Sequence, residues 1–130
     1  MTTFWNIAYV NTNNLAPGAF EPVRFPVRLL AQGSQSVIKN GLRVFITDIK
    51  IRSVSTPLAD DPSAGLFLAE NGQPVEWMVP SFDARDGWHA QSPIMIEGDE
   101  SLQRELLLVC ASLSGVTDRF IVHMSGYVEV

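Results

Sequence analysis

Hydrophobic and polar residues alternate with a period of two along much of this chain, and clusters of Gly, Pro, Asn, Asp and Ser interrupt the alternation at a spacing of roughly 8–12 residues. That rhythm predicts short β-strands joined by turns. Residues 4–10 read as a first strand, followed by the polar run Asn11-Thr12-Asn13-Asn14 and a Pro17-Gly18 turn. From Phe20, the apolar Val23, Phe25, Val27 and Leu29 alternate with Arg24, Pro26 and Arg28, as in a strand with one buried face. Pro22 and Pro26 have no amide N–H, which places at least part of that strand at a sheet edge.

Two Asn-Gly dipeptides, Asn40-Gly41 and Asn71-Gly72, lie between runs rich in β-branched and aromatic residues. Both residues of the pair tolerate the positive φ of a type I′ turn, so each dipeptide predicts a hairpin. The first would join residues 36–39 to a long strand over 42–54, the second residues 65–69 to 75–79. The long strand has apolar residues on both parities: Leu42, Val44 and Ile46 on one, Phe45, Ile49 and Ile51 on the other. It must bend, carry a bulge or be covered on both faces.

Residues 55–63 form a loop, and residues 80–93 are the longest stretch without periodicity. That second stretch holds Phe82, Asp86, Trp88 and His89, an aromatic and polar mixture suited to contacting a partner. Residues 94–96 lead through Gly98-Asp99 to residues 102–111, whose second half is apolar on both parities; a helix over residues 101–108 is the competing reading. Residues 119–130 form the last strand, with Gly126 a bulge or a point of close approach. The fold class expected is all-β: a two-sheet antiparallel β-sandwich, jelly-roll-like, of about eight strands, with an up-and-down barrel as the alternative.

A chain of 130 residues fits one sandwich. Residues 1–19 are expected to form an N-terminal strand or arm and residues 20–130 the sandwich domain. Charged residues make up only 18 % of the chain and hydrophobic ones 46 %, yet no apolar run approaches the ~18 residues of a membrane helix, so no membrane partner is expected. The opening Met1-Thr2-Thr3-Phe4-Trp5-Asn6 lacks the basic flank and apolar core of a secretory signal, which points to synthesis in the cytosol. A net charge of −5 with dispersed Lys and Arg argues against a nucleic-acid partner. The single Cys110, among Leu107, Leu108, Val109 and Ala111, reads as a buried, inert thiol.

Candidate chemistry is sparse. A metal enzyme on a β-barrel needs two or three His plus a carboxylate, whereas this chain has only His89 and His123. Asp60-Asp61, or Asp83 with Asp86, offer carboxylates for calcium without completing a loop motif. Asp83, Asp86, Asp99 and Glu100 supply carboxylates of the type a glycosidase pairs, at a separation that spacing does not define. Neither a Gly-x-Ser-x-Gly elbow nor a phosphate-cradling Gly-rich loop occurs. The sequence therefore predicts no catalytic, cofactor-binding or metal-binding residues, no cofactor and no enzyme. Trp77 is expected in the core, while Trp88 and Phe82, with Asp86 nearby, suit either an interface anchor or a sugar-binding platform.

Apolar residues on both parities of residues 42–51 and 106–111 exceed what one interior can hide, and a subunit interface is the economical place for the surplus. A homo-oligomer, with a trimer favoured, is the expectation. The run Gly41-Leu42-Arg43-Val44-Phe45-Ile46-Thr47-Asp48-Ile49, the hairpin segment Glu70-Asn71-Gly72-Gln73-Pro74-Val75, the Gly98-Asp99-Glu100 turn and the final Ser125-Gly126-Tyr127-Val128-Glu129-Val130 together resemble compact jelly-roll proteins of bacteriophage virions, the decoration or cement proteins and tail or spike domains. The resemblance covers residues 20–130 as a pattern of strands and turns. It implies a structural protein that binds protein subunits of a virion assembled in the host cytoplasm, with Phe4, Trp5, Ile7 and Tyr9 on an arm that packs against a neighbour. The alternative is a carbohydrate-binding sandwich module that uses its loop aromatics.

Overall fold

In a computed structural model the alternating segments become eight strands: β1 (Thr2–Val10), β2 (Phe20–Pro22), β3 (Arg43–Ser53), β4 (Ser63–Glu70), β5 (Gln73–Asp83), β6 (Trp88–Glu97), β7 (Arg104–Ser112) and β8 (Phe120–Glu129). The structure describes residues 2–10, 20–53, 63–83, 86–112 and 120–129. Two four-stranded sheets, ordered β1-β8-β3-β6 and β2-β7-β4-β5, face each other, and the strand pairs within them are antiparallel. Successive strands cross from one sheet to the other except at the β4–β5 hairpin, which is the winding of a jelly roll. Residues 101–108 are not helical: β7 occupies a central place in its sheet. Among the described residues no helix is long and apolar enough to cross a membrane.

The core is the space between the sheets. Val44, Ile46, Ile49, Leu66, Leu106, Leu108, Val122 and Met124 are fully buried there. The two apolar parities of β3 are reconciled by a bulge. Ile46 pairs with Gly126 and Asp48 with Ser125, so Thr47 is an extra residue on β3, and the side chains after it change phase. Val44 and Ile46 before the bulge and Ile49 and Ile51 after it therefore all enter the same interior. β3 is not apolar on both faces, which removes half of the surplus counted from the sequence.

The strand expected over residues 20–29 stops early. Val23 still donates its N–H to the Leu106 carbonyl at 2.8 Å, but Pro26, its ring fixing φ at −53°, caps a turn of a different kind. The chain tightens instead into a 3₁₀ turn, Val27–Leu29, closed by Leu29 N–H to Pro26 O at 2.9 Å and Leu30 N–H to Val27 O at 3.1 Å. The tighter turn keeps Leu29 in the core and swings Val27 out to 86 % exposure, against the strict alternation.

The two Asn-Gly turns diverge. Asn71 and Gly72 have φ of 53° and 81°, the pair of positive values that a type I′ hairpin needs, and they join β4 to β5 as expected. At the other site only Gly41 has positive φ, 88°, and Leu42 N–H bonds the Lys39 carbonyl at 3.3 Å, so this is a type II turn. Residues 36–39 do not pair with β3. They fold back on residues 29–31, through Ala31 N–H to Val37 O and Lys39 N–H to Leu29 O, both 2.9 Å, while Ser34 Oγ accepts from Val37 N–H at 2.8 Å. A Gly at the third turn position serves types I′ and II alike, and the tertiary contact with Arg104, whose carbonyl takes the Ile38 N–H at 3.0 Å, decides between them.

Edge protection follows the strand order. Pro22, Pro74, Pro80 and Pro93 lie on β2, β5 and β6, all edge strands, and none of the central strands β8, β3, β7 and β4 contains proline. Arg104 links the sheets at one end. Its Nε donates to Glu70 Oε2 at 2.9 Å on β4, and its Nη1 donates to the Glu97 carbonyl at 3.1 Å on β6.

Gly126 lies opposite the bulge with the Phe45 carbonyl and the Trp5 indole against its Cα, so a Cβ at this position would collide with both. Gly41 has open space around it and only a positive φ to satisfy. Gly126→Ala is expected to lower the unfolding free energy by more than about 2 kcal/mol and Gly41→Ala by about 1 kcal/mol. Urea unfolding of both variants measures the difference, and equal costs would show that the bulge relaxes to admit a methyl group.

Candidate interaction surface

The outward face of the β1-β8-β3-β6 sheet is built in rows, because residues paired across antiparallel strands lie on the same face. Phe4 pairs with Tyr127, Tyr127 with Phe45 and Phe45 with Met95, so one apolar row crosses all four strands. Phe45 and Tyr127 stack with ring centroids 4.6 Å apart and an interplanar angle of 14°, and Phe4 meets Tyr127 edge-on at 6.4 Å. Phe4 is 79 % and Met95 41 % exposed. On one side of this row Arg43 pairs with Glu129 and Glu97, with Arg43 Nη2 3.7 Å from Glu129 Oε2. On the other side lies a polar row of Ser125, Asp48 and His89, and beyond it Lys50 pairs with His123.

The polar row owes its position to the bulge, which turns Asp48 outward. Thr47 Oγ1 donates toward Asp48 Oδ2 at 2.9 Å and toward the Ser125 carbonyl at 3.1 Å, His89 Nδ1 meets Asp48 Oδ1, and Ser125 Oγ lies 3.5 Å from Asp48 Oδ2. The Thr47 hydroxyl, with smaller contributions from His89 and Ser125, holds the Asp48 carboxyl below the usual carboxylate range against the opposing effect of desolvation. Asp48, Lys50, His89, His123, Met124 and Ser125 line an open basin of about 440 Å³.

This cluster is not arranged for nucleophilic catalysis. A serine nucleophile requires the imidazole between hydroxyl and carboxylate, whereas here Asp48 stands between Ser125 and His89, so the Ser125 hydroxyl faces a carboxylate and not the imidazole that would take its proton. Among the described residues no group of three His, Cys, Asp or Glu side chains is placed to hold a metal ion.

The second sheet repeats the apolar pattern. Pro22 pairs with Leu107, Leu107 with Phe67 and Phe67 with Trp77, again a row across four strands on the outward face. Phe67 and Trp77 are in ring contact with centroids 3.7 Å apart, and Trp77 is 46 % exposed. Leu107 and Val109 are buried outside the inter-sheet core, so β7 is covered on both faces as its sequence suggested. Trp77 itself is a correction: a tryptophan expected in the core faces outward.

The residues expected at the partner-binding loop separate. β5 runs on to Asp83 and β6 begins at Trp88, which shortens the supposed loop. Phe82 belongs to β5 and is a core residue at 9 % exposure, and Trp88 packs partly buried against the core. Asp86 and His89 are exposed, His89 being held by Asp48. Phe82 and Trp88 therefore form no exposed aromatic platform.

Of the expected arm, β1 is a full strand of the first sheet, paired with β8 from Thr2↔Glu129 to Val10↔Ile121. Phe4 is exposed, but Trp5 is a core residue, 3 % exposed and edge-on to Phe25 at 5.3 Å. Ile7 and Tyr9 pair with Met124 and Val122 through the backbone. Residues 11–19, and the Asp60-Asp61 pair considered for calcium, lie outside the described residues. Tyr127, Phe45 and Met95 were missed because each lies in an ordinary strand, and only the cross-strand register unites them.

No known protein family and no curated protein matches this chain.

Because the folded protein holds Asp48 ionised more strongly than the unfolded chain does, the unfolded state takes up a proton first as the pH falls. The resulting stabilisation is complete above about pH 5 and is lost as the pH drops through about 4 toward the lower folded value. Asp48→Asn is expected to lower the urea midpoint at pH 7 and to flatten the decline between about pH 5 and pH 3. An unchanged acid limb in the variant would remove Asp48 from the account.

Proposed function

We propose that this chain is a non-enzymatic structural protein, a jelly-roll sandwich that associates with copies of itself and with other protein subunits in a virion or similar particle. The observation that carries the reading is the pair of apolar rows, Phe4–Tyr127–Phe45–Met95 and Pro22–Leu107–Phe67–Trp77, each crossing an entire sheet on its outward face. Phe4, Met95, Pro22 and Trp77 are the exposed members of these rows, while Leu107 is covered within the chain; a sheet face meant for water alternates polar residues outward, and exposed apolar side chains grouped on soluble monomers are commonly contact sites. Aromatic and methionine side chains are the residue types that interfaces favour, and the ionic row of Arg43, Glu97 and Glu129 beside the first patch has the character of a polar rim. The resemblance of the strand and turn pattern to bacteriophage decoration proteins supports the particle context, since cementing a shell takes shape and burial more than reactive groups.

Light scattering on a sizing column at micromolar concentration is expected to give a multiple of the 14.3 kDa chain mass. Phe4→Ser and Trp77→Ser remove exposed rings, so each should leave the unfolding free energy within about 1 kcal/mol of wild type while reducing the assembled fraction. A wild-type protein that stays monomeric, and that is free in a lysate rather than in purified particles, would overturn the proposal.

A further inference from the structure

The four edge strands of the sandwich are not protected equally. β2 contains Glu21 and Pro22, β5 contains Pro74, Glu76, Pro80 and Asp83, and β6 contains Pro93 and Glu97, whereas the nine residues of β1 include neither a proline nor a charged side chain. Proline and charge are the usual devices by which an edge refuses another strand. In a chain of net charge −5, three edges carry both and one carries neither.

We propose that the outer edge of β1, which no other strand among the described residues covers, pairs antiparallel with β1 of a second copy, about a two-fold axis at Asn6, joining two four-stranded sheets into one continuous sheet across the dimer. This names a partner for the assembly reading above and rests on it.

The geometry fixes the register. In an antiparallel strand the N–H and C=O of one residue point to the same side, and the side alternates along the chain. Arg28 Nη2 donates to the Phe4 carbonyl at 3.2 Å from outside the sheet, so the backbone groups of Phe4 point away from β8. By alternation those of Thr2, Asn6, Ala8 and Val10 do the same, while Thr3, Trp5, Ile7 and Tyr9 bond to β8. The outward set is centred on Asn6. A two-fold axis there sets Phe4 opposite Ala8 of the partner subunit and Thr2 opposite Val10 of the partner subunit, and every outward amide and carbonyl of the strand meets a partner. Isologous pairing of this kind closes on itself as a dimer and leaves no open edge to propagate a fibre. No carboxylate of one β1 faces a carboxylate of the other, which the acidic residues on each remaining edge would prevent.

Arg28 is the gate. Its hydrogen bond to Phe4 occupies one carbonyl that the partner's Ala8 amide would take, so the guanidinium must move aside before the strands join. That bond is exposed and inexpensive to release.

The test uses the full chain in sedimentation equilibrium, with circular dichroism to confirm folding. Asn6→Pro deletes an amide that points away from β8, so the monomer should keep its sheet while the dimer dissociation constant rises at least tenfold. Ala8→Lys places like charges at the joined edge and should weaken the dimer similarly should the proline variant fail to fold. Arg28→Ala should tighten it by about two- to fivefold. In the wild type, amide exchange at Phe4, Asn6 and Ala8 should slow as concentration rises. Folded Asn6→Pro or Ala8→Lys protein that still self-associates like wild type, with association lost in Trp77→Ser, would overturn the edge pairing and leave the assembly reading intact. A monomeric wild type would overturn the edge pairing, and one that is also free in a lysate rather than in purified particles would overturn the assembly reading with it.

Discussion

The extra residue at Thr47 is the constraint on which this structure turns. Without it, a regular β3 would send Ile49 and Ile51 to the opposite face from Val44 and Ile46, exposing two large aliphatic side chains and burying Asp48 and Lys50. Burying an unpaired lysine or aspartate costs several kcal/mol, and losing two isoleucines from the core costs a comparable amount, so the unbulged register does not compete. Gly126 is the other half of the device. The bulged strand brings the Phe45 carbonyl onto the Gly126 Cα, and the missing side chain also lets the Trp5 indole lie across the same spot. One irregularity thus closes the core, leaves Phe45 in the outward apolar row and delivers Asp48 to the polar row.

Legibility followed the range of the interactions. The β4–β5 hairpin was readable because Asn71-Gly72 is a local device: two adjacent residues at positive φ determine the turn and the pairing on either side. Most strand positions were readable for the same reason, since alternation is a property of a few neighbouring residues. Asn40-Gly41 marked a turn but misled about its partners, because the competing hydrogen bonds come from residues 29–31 and from Arg104, more than sixty positions away. The strand over residues 20–29 gave way at Pro26, where the chain turns into a 3₁₀ segment despite an intact hydrophobic pattern. The interaction surface was the least legible feature. Its members come from β1, β3, β6 and β8, and only the sheet register makes them neighbours.

The excess of apolar residues is real but lies elsewhere than single-strand counting placed it. β3 resolves its two parities internally, while β7 keeps Leu107 and Val109 buried outside the inter-sheet core. The remaining excess comes from isolated outward residues, Phe4, Phe45, Tyr127, Met95, Phe67 and Trp77, none conspicuous in its own segment. Aromatic side chains at paired positions stabilise a sheet by cross-strand contact, roughly 0.2–1 kcal/mol per pair, so part of each row is explained by the fold alone. Phe45 stacked on Tyr127 fits that explanation. Phe4, four-fifths exposed at the sheet margin, does not, because it contributes one edge-on contact while leaving most of its ring in water.

The placement of Phe4 connects the apolar face to the unguarded edge. A strand at the margin of a sheet gains little from a bulky outward aromatic unless another surface continues past it, and the backbone of this same residue is the one that Arg28 caps from outside. The remaining edges carry proline and carboxylate, so the chain uses both protective devices where it needs them. Their joint absence from β1, together with an exposed cap at Phe4, is the arrangement expected of an edge kept available for pairing rather than one left unprotected. A neighbour on β1 would extend the sheet beyond the margin where Phe4 now stands, so backbone pairing at the edge and apolar contact on the face would act on one partner together.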